Sequence, residues 1–134
     1  MRDFRKYIIW QEALAITNKI YHITESFPAK ETYGLSNQLQ RAAVSIASNI
    51  AEGASRSSSA EFTHFLEIAI GSAFEVETQL TIAHLRNYLS NEDFQEIVSS
   101  LRGEEKRINT FIQALKPQAN SQQLKAKSPN EIKE

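Results

Sequence analysis

The residues best suited to metal chemistry in this sequence are Glu61 and His64, which form a Glu-x-x-His motif. Di-iron four-helix proteins use this motif on two helices and add a Glu from each of the other two. Here the motif occurs once, because neither His22 nor His84 follows a Glu at the same spacing. At ~100° per residue, His64 also points about 160° away from Leu66, which favours a solvent-facing or interfacial histidine. A metal-dependent enzyme using Glu61 and His64 is therefore kept as the alternative, and no metal or other cofactor is expected.

No other group of side chains has the composition of a catalytic site. The absence of cysteine excludes disulfides and thiol catalysis. The serine run at 57–59 is typical of a polar turn and a helix cap, without a positioned base. The four glycines are scattered singly and cannot form a phosphate-binding loop. The sequence therefore predicts no catalytic residues, and the chain is not expected to be an enzyme.

Arg41, Glu52 and Arg56 form the remaining polar candidate. Arg41 and Glu52 are three helical turns apart and share one stripe, and Arg56 follows just beyond Gly53. One interpretation is an ion-pair network that fixes the turn between two helices, within a chain or across subunits. The other is contact with phosphate, whose oxygens match the guanidinium group. The sequence leaves both interpretations open.

Composition limits the class of protein. A chain of 134 residues is long enough for one domain with one hydrophobic core. The net charge of -1 argues against a uniformly basic nucleic-acid binder and leaves room for a local basic face. Neither a signal peptide nor a stretch long and apolar enough to span a membrane is present, so a cytoplasmic location without a membrane partner is expected.

The elements that must position these residues are four predicted helices. Pro28 ends the first helix, Gly53 is expected as the C-cap of the second, and Ser58 and Ser90 open the third and fourth. No stretch of the sequence shows the pattern of a β-strand. We predict an all-α, antiparallel, up-down-up-down four-helix bundle over residues 1–116 and a disordered polar tail over residues 117–134. The predicted helices cover residues 4–26, 35–52, 59–88 and 91–116.

Apolar periodicity predicts one core and a surplus of apolar surface. One stripe of the first helix is assigned to the core and consists of Trp10, Leu14, Thr17 and Tyr21. On the fourth helix, Glu105 is expected to intrude on the face that points to the core. Large exposed apolar patches usually mark an interface. The surplus predicts a homo-oligomer, and the alternative is a wide core whose flanking residues seal the helix seams. The residues assigned to the oligomer interface are Ile9, Ile16, Ile23, Ile68 and Phe74.

Three motifs carry a resemblance to a known family. FP-x-x-E-x-YGL occurs at residues 27–35, RAAVSI-x-x-NIAEG at 41–53 and EF-x-x-FL-x-IA-x-GS at 61–72, after an early tryptophan, Trp10. Over residues 4–116 the sequence resembles the four-helix bundle family of 23S rRNA intervening-sequence proteins. The resemblance implies an all-α bundle that assembles as a ring, a homopentamer. Members are encoded within insertions in 23S rRNA genes or stand alone in bacterial genomes, and the family offers no established catalytic residues to transfer.

A related branch of that family is the accessory protein of diversity-generating retroelements, which binds nucleic acid and a reverse transcriptase. The resemblance therefore implies a non-enzymatic assembly or adaptor module with RNA, or an RNA-handling protein, as its partner. The alternatives are the metal-dependent enzyme and a purely structural oligomer without affinity for nucleic acid.

Overall fold

The computed structural model describes residues 2–126, with side chains through Pro117. Over this part of the chain there are four α-helices and no strand, which confirms the all-α prediction. The helices are α1 (Ile8–Thr24), α2 (Leu35–Ala54), α3 (Ser59–Leu85) and α4 (Asn91–Ala126). Short 3-10 turns at Phe4–Lys6 and Ala29–Glu31 precede α1 and α2.

The predicted caps begin α3 and α4. The Ser58 hydroxyl accepts a hydrogen bond from the Glu61 backbone N–H at 3.1 Å, and the Ser90 hydroxyl accepts one from that of Asp93 at 3.1 Å. Each bond satisfies one of the free N–H groups of a first helical turn. At the other end of α3, Asn87 adopts a φ of 63°, in the left-handed region that commonly ends helices. The helix therefore ends at Leu85, three residues before the predicted Tyr88.

Two other helix ends differ from the prediction. Gly53 is not a C-cap, because α2 continues through it to Ala54. Likewise, α4 does not end at Lys116 but continues through Pro117 to Ala126. Proline cannot donate a backbone hydrogen bond but need not end a helix. Helical backbone thus occupies 117–126 of the predicted disordered tail, and residues 127–134 lie outside the described residues.

The four helices contact one another in a closed cycle around one core. α1 packs against α2 and α4, and α3 packs against the same two helices. An aromatic cluster fills one end of this core, where the rings of Tyr7 and Phe111 are 5.0 Å apart and those of Phe62 and Phe111 5.4 Å apart. Tyr7 precedes α1, so this contact joins the start of the chain to α3 and α4.

The structure differs from the sequence assignment in both stripes of α1. The expected intersubunit contacts Ile9, Ile16 and Ile23 are buried in the chain's own core, so that assignment is wrong for these three residues. In the stripe assigned to the core, Trp10 does pack against the core, whereas Leu14 and Tyr21 are 43% and 46% exposed.

Hydrogen bonds between α1 and α2 fix the orientation of α1. The Thr17 hydroxyl lies 3.1 Å from the Ala43 carbonyl, and the Gln40 amide donates to the Thr24 hydroxyl at 3.0 Å. Both threonines therefore face α2. A rotation that buried Leu14 and Tyr21 would break these contacts, since the two residues lie beyond the threonines on the outer side of α1.

Candidate interaction surfaces

The turn between α2 and α3 contains two of the three residues of the polar candidate. Arg56 Nη2 and Glu52 Oε1 form an ion pair at 2.5 Å, and the Arg56 guanidinium lies over the Phe65 ring at 4.7 Å. The Arg56 carbonyl accepts a 2.6 Å hydrogen bond from Arg2, whose guanidinium lies over Phe62 at 4.9 Å. Glu52 and Arg56 thus form an ion pair at this turn. The role of Arg2 was missed, since sequence spacing does not place the N-terminus beside this turn.

Gly53 lets α2 and α3 approach closely beside this ion pair. A Cβ at this position would lie 2.8 Å from Phe62 Cδ1, 2.8 Å from Phe65 Cβ and 3.2 Å from the Phe62 carbonyl oxygen. Further along the same contact, the Ser45 and Ser72 hydroxyls are hydrogen-bonded at 2.8 Å, and the Asn49 amide donates to the Ser45 carbonyl at 2.8 Å. Small side chains on α2 are therefore explained by its close packing on α3.

Arg41 is not part of this cluster. Its exposed side chain lines a polar groove between α2 and α3, together with Ser45, Ser72 and Glu75. Among the described residues it makes no hydrogen bond or ion pair. The structure therefore brings Glu52 and Arg56 together and leaves the guanidinium of Arg41 free.

An exposed apolar surface, here called the α3 face, covers the outer side of α3. Its residues are Ile68, Gly71, Phe74 and Ile82, with Ile68 39% and Phe74 57% exposed. Phe74 also borders a groove between α3 and α4, where Glu77 and Arg102 form an ion pair at 3.3 Å. Of the five residues assigned to the oligomer interface, Ile68 and Phe74 are thus accessible to a partner, and their contact with one stays a prediction.

A second exposed apolar surface, here called the α1–α2 face, lies across α1 and α2. It consists of Leu14 and Tyr21 on α1 and Val44 on α2, which is 41% exposed. Val44 follows Ala43, whose carbonyl accepts the Thr17 hydrogen bond between the two helices, so Val44 lies beside this junction. The α1–α2 face and the α3 face hold most of the exposed large apolar side chains of the described helices, and α4 contributes none through Pro117.

The buried carboxylate of α4 belongs to Glu104, not to the expected Glu105. Glu104 is fully buried, and neither of its oxygens accepts a hydrogen bond from the described residues. Arg107 Nε lies 3.4 Å from Glu104 Oε1, and Arg107 also pairs with Glu12 on α1 at 3.7 Å. Burial raises the pKa of Glu104 to about 7, and the neighbouring Arg107 guanidinium partly opposes this rise.

Glu105 is half-buried, and its neighbours differ from those of Glu104. Burial raises its pKa, the Glu77 carboxylate raises it further, and the Arg102 guanidinium opposes both effects. The sequence signal for a buried acid was therefore correct for this turn of α4 but one residue away from the true position.

Glu61 and His64 do not form a metal centre within the described residues. Both side chains are exposed, and His64 packs edge-on against the Phe65 ring at 5.7 Å. No group of three or more His, Cys, Asp or Glu side chains in the described part of the chain could hold a metal ion. Across residues 2–126, no helix has the length and apolar character needed to cross a membrane.

The family model for the 23S rRNA-intervening sequence protein matches residues 5–110, which is most of the chain. The chain belongs to this family. A solved structure of a protein of unknown function from the S23 ribosomal protein family of Bacteroides thetaiotaomicron VPI-5482 has a similar fold, with a TM-score of 0.71. It is 24% identical, and the match covers 78% of this chain and 98% of that one. A search of curated proteins found no match.

In this member of the 23S rRNA-intervening sequence protein family, the motif residues that make clear contacts are structural. Gly53 and Ser72 mediate the contact between α2 and α3, and Phe62 belongs to the aromatic cluster. Glu31 accepts a hydrogen bond from the Tyr88 hydroxyl at 2.9 Å, and this bond is the main reason that the pKa of Glu31 is lowered. The free surfaces of the molecule are therefore its candidate functional sites.

Proposed function

We propose that the chain is a non-enzymatic assembly module that forms a homopentameric ring and has RNA, or a protein that handles RNA, as its cytoplasmic partner. The observation that carries this proposal is the exposed apolar surface on two parts of the bundle, the α1–α2 face and the α3 face. Exposed apolar patches of this kind are typical of protein interfaces. The ring and its five subunits follow from the resemblance to the family.

The antiparallel, up-down-up-down arrangement is part of this proposal, and several contacts support it. Lys19 pairs with Glu96, whereas Glu12, earlier on α1, pairs with Arg107, later on α4. On α3 and α4, Phe62 contacts Phe111 while His84 stacks on Phe94 at 4.2 Å. In both helix pairs, the later residue of one helix meets the earlier residue of the other, as antiparallel packing requires.

A role beside RNA is supported by the family's description and by one free guanidinium group. Of the two arginines in the group Arg41, Glu52 and Arg56, Arg56 is already paired with Glu52. Arg41 is therefore the arginine that can bind an anionic group of a partner. The net charge of -1 requires that any contact with phosphate be local. The absence of a metal-ligand group from the described residues favours an adaptor over the enzyme built on Glu61 and His64.

Light scattering behind a sizing column, with absorbance recorded at 260 and 280 nm, tests this proposal on the full chain. We expect a mass near five subunits and excess absorbance at 260 nm, from nucleic acid that can be recovered and sequenced. A pentamer without nucleic acid would assign the partner role to a protein or leave a purely structural oligomer. A monomer would contradict the proposed function.

A salt titration separates electrostatic RNA binding from other modes. Binding through phosphates releases counterions, so the affinity for the recovered RNA should fall steeply between low and physiological salt. The same titration on the Arg41→Gln variant measures whether this guanidinium contributes, since each lost phosphate contact lowers the slope by about one unit. A flat response of the wild-type protein would rule out recognition through phosphates.

A further inference from the structure

We propose that the ring is closed by one head-to-tail contact, in which the α1–α2 face of one copy receives the α3 face of the next. This inference rests on the proposed function, because it assumes that the chain assembles with itself. The two surfaces that meet are different surfaces of the same molecule.

The positions of the two faces in the bundle exclude a single self-complementary patch. α1 and α3 each pack against α2 and α4, so they lie across the core from one another. Leu14 and Tyr21 on α1 therefore point to a different side of the molecule from Ile68 and Phe74 on α3. A contact between two different faces is heterologous, and repeating it generates a ring or a filament, whereas a two-fold dimer uses one patch twice.

The shapes of the two faces are complementary. On the α1–α2 face, the large side chains stand on α1, and the small residues Ser48 and Ala51 follow Val44 along α2. On the α3 face, the large side chains Ile68 and Phe74 stand on either side of Gly71. A Cβ at Gly71 would meet nothing within 4 Å in the single chain, so no contact within the chain accounts for this glycine. Close approach of a second copy to α3 accounts for it, because a glycine lets two helix backbones come together.

The charges of the two faces are also complementary, and they favour a second copy as the occupant. α3 contains four glutamates and no lysine or arginine. One of the glutamates, Glu67, lies beside the α3 face, is exposed and makes no ion pair with the described residues, whereas Glu75 lines the groove between α2 and α3 together with Arg41 of the same chain. On the other side of the contact, Arg41 lies one helical turn before Val44, with its guanidinium free. A head-to-tail contact brings the Arg41 guanidinium of one copy to the Glu67 carboxylate of the next.

A complementation experiment with two variants of the full chain tests this arrangement. Leu14→Glu disrupts the α1–α2 face and leaves the α3 face intact, and Ile68→Glu does the reverse. We expect each variant alone to have the mass of one subunit by light scattering. Mixed in equal amounts, they should give the mass of two subunits, since one intact contact forms between the Ile68→Glu copy's α1–α2 face and the Leu14→Glu copy's α3 face.

Matched controls separate the outcomes. Ile8→Glu adds the same charge to an exposed position of α1 outside both faces and should keep the wild-type mass. Far-UV circular dichroism should show full helix content in every variant, and Tyr21→Glu with Phe74→Glu serves as a second pair if one of the first does not fold. A mixture that stays at one subunit, or a single variant that keeps the wild-type mass, would overturn the head-to-tail contact. A wild-type protein that is itself a monomer would instead overturn the proposed function.

Discussion

At the scale of single residues, Gly53 sets the distance between α2 and α3. An added Cβ would overlap Phe62 and Phe65 at 2.8 Å, and the Phe65 Cβ cannot move without its backbone. Overpacking of this kind costs about 1–3 kcal/mol, which outweighs the gain of up to about 1 kcal/mol in helix propensity. We therefore expect Gly53→Ala to lower the free energy of unfolding, measured by urea denaturation.

Gly103 provides the matched control for this substitution. It also lies within a helix, but a Cβ there would meet only the flexible end of the Arg107 side chain, at 3.4 Å. Gly103→Ala should leave the free energy of unfolding unchanged or raise it by up to about 1 kcal/mol. Equal effects of the two substitutions would show that steric overlap at Gly53 does not decide its cost.

Glu104 makes the stability of the fold depend on pH. Because burial raises its pKa in the folded chain from 4.5 to about 7, the folded state holds this proton more tightly than the unfolded state. Its contribution is therefore fully present below about pH 4.5, declines as the pH rises to about 7, and is lost above that value. The difference corresponds to about 3 kcal/mol at most, at 1.36 kcal/mol per pKa unit.

The substitution Glu104→Gln tests this pH dependence. It removes the charge and keeps the shape of the side chain, so the variant should show a smaller decline between pH 5 and 7.5, since Glu105 still contributes, and it should be more stable than wild type at pH 8. Urea denaturation across this pH range measures both effects. Glu92→Gln, at an exposed position of the same helix, should keep the wild-type decline. Parallel curves for wild type and Glu104→Gln would show that Glu104 titrates normally.

At the scale of the helices, α1 is the element for which the structure and the sequence differ on which side faces the core. Truncating a buried isoleucine of α1 and truncating the exposed Leu14 should therefore change the free energy of unfolding by different amounts. Ile16→Ala removes fully packed atoms and should lower the free energy of unfolding by about 2–5 kcal/mol. Leu14→Ala should cost less than about 1 kcal/mol in a chain that does not assemble.

Both truncations are therefore made in the Ile68→Glu variant, which is expected not to assemble, so that lost contacts between copies do not affect the measured stability. Urea denaturation of both truncations in this background should give the same dependence on urea concentration and different midpoints. If Leu14→Ala lowered the free energy of unfolding more than Ile16→Ala, the sequence-based assignment of Leu14 to the core would be correct after all.

The sequence predicted the features that depend on neighbouring residues. Ser58 and Ser90 cap their helices as expected, because a cap bond spans three residues. The orientation of α1 could not be predicted in this way, since both of its stripes are apolar and the contacts of Thr17 and Thr24 with α2 decide between them. For the same reason, periodicity located a buried acid in α4 but chose Glu105 instead of its neighbour Glu104.

The candidate surfaces were predicted only in part. Ile68 and Phe74 are exposed because their side of α3 points away from the chain's other helices, which the stripe of α3 indicated. The ion pair of Glu52 and Arg56 joins the last turn of α2 to the bend that follows it, across a spacing of four residues. The sequence did not reveal that Arg41 stays free, because this depends on which side chains α3 brings near it.

At the scale of the whole molecule, assembly through exposed apolar faces links stability to concentration. Copies that contact one another only when folded shift the unfolding equilibrium by mass action. For a pentamer, each tenfold rise in concentration adds about 1 kcal/mol per subunit, which raises the Tm by roughly 3–6 °C for a domain of this size. Calorimetry of wild type and Ile8→Glu should show this rise, and Leu14→Glu should unfold at one temperature at every concentration. A Tm of the wild-type protein that is independent of concentration would mean that the exposed faces of α1 and α3 serve a different partner.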